Sequence, residues 1–228
     1  MNSPEPFVTE DGSHSLRSLR FGVNYHSTHG ALQESRHIFI DAGLRPLLAG
    51  APAQVRIVEM GFGSGLNALL LRQLAEEMPD TRFTYTTYEQ YPITPEQASR
   101  LNYPDLLECP QAWLADLHAA DWDVPVDLTA NLSFRKVAGD FLALAEPDGI
   151  AGDLADVIFY DAFAPENQPE LWTVAAMQRC HALLRTGGRL VTYCAKGQFK
   201  RNLRQVGFRV EALPGPVGKR EITRAVRS

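Results

Sequence analysis

The chain is short of most features that assign a protein quickly. It has three cysteines in 228 residues. Cys109, Cys180 and Cys194 are far apart, odd in number and form no C-x-x-C pair. That excludes a disulfide framework and a paired-cysteine zinc or redox site. Each cysteine reads as a small core residue, and a reducing cytoplasm as the setting. No apolar run approaches the ~18 residues that cross a bilayer, so no membrane partner is expected. The start, "MNSPEPFVTEDGSHS", is acidic and polar without an apolar h-region, so no signal peptide is expected. A metal set is also missing: His26 and His29 are three apart, but no cysteine or further histidine completes a site. There is no internal repeat and no low-complexity segment. The one glycine-rich loop lacks the dinucleotide spacing G-x-G-x-x-G, because Leu66 stands where the third glycine would be.

What is present is an ordinary globular composition, 45% hydrophobic and 21% charged, enough to bury a core without covalent staples. The net charge of −5 hides an asymmetry. From Arg179 onward there are twelve Lys or Arg against two acids, Glu211 and Glu221. A basic segment on an acidic body points to a localised anionic partner, or to a solvated surface with unevenly drawn charges.

Residues 1–52 read as an N-terminal extension and 53–228 as the main domain. In the extension, 29–44 has a helical pattern with Leu32, Phe39 and Ile40 apolar and Gly43 as stop. Strands are expected at 55–60, 82–90, 155–163 and 189–195, with closing strands around "FRVEALPG" and "REITRAV". Helices are expected at 66–78, 170–185 (stopped by "TGG") and 199–207. Residues 92–125 hold one or two short helices, and 126–140 a hairpin or a single strand ending at Asp140. The alternation through 55–195 predicts an α/β fold, a mostly parallel sheet with helices on both faces.

"VEMGFGSGLNALL" sets Gly61, Gly63 and Gly65 between a strand and a helix, where glycine permits positive φ and the helix start offers free N–H groups. The pattern E-x-G-x-G-x-G, with an acid ending the strand, looks like class I S-adenosylmethionine (SAM) methyltransferases. Glu89 ends the second strand, at the place where an acid accepts hydrogen bonds from ribose hydroxyls. Asp140 and Asp161 end the next two strands. Ligands of open α/β sheets bind at those ends.

Asp161 heads "DAFAPENQPELWT". Methyl transfer is an in-line displacement, so an enzyme must position a nucleophile and manage its proton. A carboxylate can orient an amine N–H, and Phe163 can offer a face to a flat ring. A nearby carboxylate also favours the ammonium form, so Asp161 must accept the proton or pass it to water. Trp172 is a second stacking candidate or a core residue. "GPVGKRE" (215–221) is expected to be a mobile loop at the active-site mouth or a hairpin turn.

"VNYHSTHGALQESRHIFIDAGL", "EMGFGSGLN", "YEQYP", "DAFAPENQPELWT", "YCAKGQFKRNLRQVGF" and "GKRE" resemble, in order, the methyltransferase half of the tRNA wobble-uridine enzymes MnmC, and more closely its stand-alone form, MnmD. The resemblance spans roughly residues 8–225. It implies SAM-dependent methylation of the exocyclic amine of 5-aminomethyl-(2-thio)uridine at the tRNA wobble position, in the cytoplasm, with no flavin, no metal and no obligate protein partner. It implies Asp161 as the catalytic residue. It implies a SAM site of Tyr25, Ser27, Glu59, Gly61, Phe62, Gly63, Gly65, Asn67, Glu89, Gln90, Gly139 and Asp140, with the extension closing over it. It implies substrate contacts at Phe163, Lys196, Lys200, Arg201, Lys219 and Arg220, with Arg204 beside them, along the anticodon loop. No flavin oxidase half is expected within these 228 residues, so the aminomethyl base would be made elsewhere. The alternative reading is a SAM-fold transferase acting on a small-molecule amine, which would need no phosphate track.

Overall fold

The computed structural model describes residues 4–143 and 154–228. It opens on an antiparallel hairpin absent from the sequence reading, β1 (Glu5–Val8) and β2 (His14–Arg17). The hairpin turn caps the next helix. Asp11 Oδ2 accepts Gln33 N–H at 3.0 Å, and Ser13 Oγ accepts Ala31 N–H at 3.0 Å. That helix is α1 (Ala31–Ser35), then a π-helical stretch Arg36–Leu44, then α2 (Arg45–Leu48). Gly43 therefore does not stop it. A Cβ there would lie 2.8 Å from Val191 Cγ2, so the glycine serves close helix–sheet packing.

The main sheet follows: β3 (Gln54–Met60), α3 (Leu66–Glu77), β4 (Arg82–Glu89), three short helices α4 (Pro95–Ala98), α5 (Tyr103–Leu106) and α6 (Gln111–Ala119), the hairpin β5 (Val126–Thr129) and β6 (Leu132–Ala138), then β7 (Ala155–Tyr160). A 3₁₀ turn, Pro169–Trp172, leads to α7 (Val174–Leu183), β8 (Leu184–Thr192), α8 (Gly197–Gln205), β9 (Phe208–Pro214) and β10 (Glu221–Arg227). The strand order is β5-β6-β4-β3-β7-β8-β10-β9. β6, β4, β3, β7 and β8 run parallel, while β5 and β10 pair antiparallel with their neighbours. This is the class I SAM methyltransferase architecture. The order reverses between β3 and β7, and such switch points open a crevice beyond the strand ends.

β7 shows why the sheet is covered twice. Val157 and Phe159 enter one buried cluster with Phe83, Tyr85 and Leu69, while Ile158 and Tyr160 enter another with Trp172 and Met177. Alternation sends successive side chains to opposite faces, so "ADVIFY", apolar apart from Asp156, needs apolar cover on both.

The expected helix at 170–185 is broken. Thr173 is extended and its side chain accepts Ala176 N–H, so α7 starts there. "TGG" is not its stop either. Gly187 has φ +77 inside β8, and the β7–β8 register shifts between Ala155 and Val157, so the glycines build a bulge. Trp172 is core, 4% exposed, edge-on to Tyr160 and Phe199, and its Nε1 donates to Phe163 O at 2.8 Å. Trp172→Ala is expected to cost about 3–5 kcal/mol, read as the shift in a urea unfolding midpoint. A loss near zero would show that the indole is not a core anchor.

Candidate active site

A cavity of about 800 Å³ lies at the carboxyl ends of β3, β4, β6 and β7. Its floor is the glycine loop. Asp161 N–H donates to Met60 O at 2.9 Å and Gly61 N–H to Tyr88 O at 3.0 Å, so the ladder runs one residue past the strands. Gly61 has φ +93, and a Cβ would sit 2.6 Å from Asp161 O. Only glycine fits that approach. Gly63 has φ +52 with nothing within 4 Å of a built Cβ. Its N–H donates to Glu89 Oε2 at 3.0 Å, and Tyr91 N–H donates to Glu89 Oε1 at 2.7 Å. Burial raises the Glu89 carboxyl above its ordinary range.

The sequence-predicted residues divide. Phe62, Gly63, Asn67, Glu89, Gln90, Gly139 and Asp140 line the cavity. Asp140 Oδ1 accepts Leu142 N–H at 2.9 Å. Glu59 and Gly65 are not on the cavity wall. Glu59 is 1% exposed behind it, accepting Thr87 Oγ1–H at 2.6 Å and an Asn67 Nδ2 hydrogen at 2.9 Å. In this structure Glu59 stands behind Asn67, which lines the cavity. Burial pushes the Glu59 carboxyl up to about 7. Gly65 begins α3 at φ +79, where a Cβ would meet His118 Nε2 at 2.9 Å.

Asp161 lines the same cavity. Its Oδ2 accepts an Asn67 Nδ2 hydrogen at 2.9 Å. Burial holds its carboxyl well above the usual range, and the charges of Glu59 and Glu34 add to this.

Phe163 lines the cavity but presents no open face to it. Tyr25 stacks on it at 5.2 Å between centroids, and Phe21 lies at 4.8 Å, tilted. Phe21 also meets Tyr91 edge-on at 5.8 Å, and the Arg20 guanidinium sits 3.8 Å over Tyr91. Residues 18–27 thus form a roof pinned by aromatic contacts. Sequence reasoning missed Phe21, Arg20 and Tyr91. Only "YEQYP" carried a signal, since an aromatic followed the ribose-position acid.

Ser27 lines the cavity and its N–H donates to Glu34 Oε2 at 2.8 Å. Lys219 pairs with Glu34 at 2.5 Å and lies 4.2 Å over the Tyr193 ring. The 215–221 segment joins β9 to β10 as a turn, and its Lys219 lines the cavity.

Other basic residues depart from an open track. Lys200 pairs with Glu221 at 2.7 Å and is 12% exposed. Lys196 pairs with Glu166. Arg201 is exposed and held by Gln198 at 2.8 Å, while Arg204 and Arg220 are exposed. His26 and His29 engage Ser15 and Glu10, and burial pushes His26 down to about 4.

Residues 109–228 match a family model described as S-adenosyl-L-methionine-dependent methyltransferase. The chain belongs to this family. As a SAM-dependent methyltransferase it resembles the bifunctional protein MnmC for tRNA 5-methylaminomethyl-2-thiouridine biosynthesis from Cupriavidus metallidurans, 32% identical over 96% of this chain and 33% of that protein. The MnmC of Magnetococcus marinus is 32% identical over 90% of this chain and 31% of its own length. The chain spans about a third of the length of these curated relatives. Among solved structures, MnmC2 of Aquifex aeolicus superposes with a TM-score of 0.76 at 26% identity, over 100% of this chain and 71% of that one. SAM-bound CalS10 of Micromonospora echinaspora shares the fold, with a TM-score of 0.51 at 13% identity over 87% of this chain and 92% of that one.

The site suits the family's cofactor. The loop backbone at Gly61 and Gly63 leaves a cradle that a Cβ at Gly61 would close. The carboxylates Glu89, Asp140 and Asp161 line the same cavity.

Proposed function

We propose that this methyltransferase acts on the exocyclic amine of 5-aminomethyl-(2-thio)uridine at the tRNA wobble position. The observation that carries the reading is a half-buried aspartate, Asp161, beside a glycine cradle and under an aromatic roof. The resemblance to the MnmC proteins and to MnmC2 supports it.

Glu89 would hold the ribose, Asp140 the adenine and the 61–63 backbone the rest of the cofactor, with Tyr25 and Ser27 on the roof. SAM, when bound, supplies a methyl on a sulfonium that leaves as a neutral thioether. The protein's own task is the amine. A flat base stacks on Phe163 in place of Phe21 or Tyr25, with its aminomethyl group reaching Asp161. The Asp161 carboxylate accepts a hydrogen bond from the nitrogen and takes the ammonium proton. Burial that raises its proton affinity brings it closer to an amine's reference pKa of roughly 10, which eases that transfer. The cavity is large by the ~300–1,000 Å³ range of small-molecule sites, so it has room for a cofactor and a splayed base.

Labelled SAM incubated with tRNA lacking the final methyl group, and separately with a panel of free amines, tests the reading. Label in the wobble nucleoside supports it. Label only in a free amine replaces it with a small-molecule transferase, and label in neither refutes both.

Phosphate contacts are best sought at the exposed Arg201, Arg204 and Arg220. The Arg201→Ala, Arg204→Ala double variant is expected to weaken tRNA binding and to flatten the slope of log K against log salt by about 1.4. An unchanged slope in filter binding from low to high salt would rule out both contacts.

A further inference from the structure

Asn67 occupies an unusual position. It is in the first turn of α3, 4% exposed, and its single Nδ2 is 2.9 Å from Glu59 Oε1 and 2.9 Å from Asp161 Oδ2. Both amide hydrogens are spent on carboxylates, while its Oδ1 is buried without a partner. An orphaned buried carbonyl is a cost that a structure keeps only when the other end of the group is committed. Glu59 fixes the amide from behind, itself anchored by Thr87 Oγ1 at 2.6 Å. Asp161 Oδ1 has no hydrogen bond among the described residues.

We propose that Asn67 is a positioning residue whose carboxamide, braced by Glu59, clamps one oxygen of Asp161 and leaves the other for the substrate amine. This deepens the role given to Asp161 above and rests on that reading. It also gives the buried Glu59 a purpose, as the brace of a relay from β3 through α3 to the end of β7.

The clamp has an electrostatic side. Two carboxylates sharing one NH₂ group tend to trap a proton between them, and a donor to the charged forms opposes this. A proton held on Asp161 would stop it from accepting the amine's. The groups around Asp161 are Glu59 on β3, Tyr85 on β4, Glu34 on α1, Tyr103 on α5, Tyr193 after β8 and Lys219 before β10. Among them Lys219 is the only cation, and it is paired with Glu34. The amide is therefore the main neutral donor favouring the ionised form of Asp161 against the burial that opposes it.

The test starts without ligand. Carboxyl ¹³C titration follows Asp161, assigned by loss of its signal in Asp161→Asn. Asn67→Ala should move its midpoint up by roughly one to two pH units, the worth of a hydrogen bond to a charged group. Glu59→Gln should move it down, and Asn67→Ser, which keeps one short donor, should fall between wild type and Asn67→Ala. With SAM and substrate, the acid limb of the kcat profile should shift by the same amounts. KM for SAM should stay within about threefold, since a lost cofactor contact would raise KM instead. An unmoved Asp161 midpoint in both Asn67→Ala and Asn67→Ser overturns the clamp, as does a KM that rises with no shift in the acid limb. If wild-type protein labels no tRNA, the substrate reading fails while the ligand-free titration still decides the role of Asn67.

Discussion

Asp161→Asn is expected to slow methyl transfer to the aminomethyl base by about 10²–10⁴-fold, the range of a lost general base. The swap keeps size and shape. The new amide turns its carbonyl to Asn67 and offers N–H to the incoming nitrogen, a donor where an acceptor is required. It cannot take the ammonium proton. Binding of the thioether product should survive, because the cradle is built from the backbone at Gly61 and Gly63 and from Glu89. Single-turnover transfer from labelled SAM, paired with calorimetric titration of the product, separates the two effects. A wild-type rate in a variant that still binds the product would remove Asp161 from the chemistry. The pH dependence carries a sign. An acid with a raised folded pKa loses its proton late as pH rises, so the wild-type rate should fall on acidification as Asp161 takes up its proton.

Gly61→Ala should be the most damaging change in the cofactor loop. The φ of +93 already strains a residue bearing a side chain, and the Cβ would stand 2.6 Å from Asp161 O. That oxygen belongs to the backbone between β7 and the reactive loop, so it cannot yield without moving Asp161. Strain and overpacking together should cost about 2–5 kcal/mol, or roughly 5–15 °C in melting temperature for a chain of this size. SAM affinity should fall as well, since the displaced loop closes its own cradle. A melting curve and a SAM titration that both match wild type would show that the β3 and β7 ends are not locked together. Gly63→Ala is the control: its φ of +52 is also positive, but nothing lies within 4 Å of the built Cβ, so the loss should be smaller.

The sequence read well wherever periodicity and punctuation acted locally. "VRIVEM", "RFTYTTYE" and "ADVIFY" are strands within a few residues of expectation, and each acid falls where its strand ends. It read poorly where packing overrode local signals. Gly43 looked like a stop but is a contact with Val191, and "TGG" looked like a helix end but is a bulge. The β1–β2 hairpin has strands of four residues each and little pattern to detect.

Taken alone, the sequence determined the alternating α/β order, the glycine loop and the strand-end carboxylates, because these depend on spacing along the chain. Tertiary structure alone decided what each carboxylate touches. Glu59 withdrew behind Asn67, Phe163 lost its free face to Phe21 and Tyr25, and Lys200 turned inward to Glu221. Those partners lie 8 to 142 positions away, and no local period encodes which distant side chain will fill a given hydrogen bond or cover a given ring.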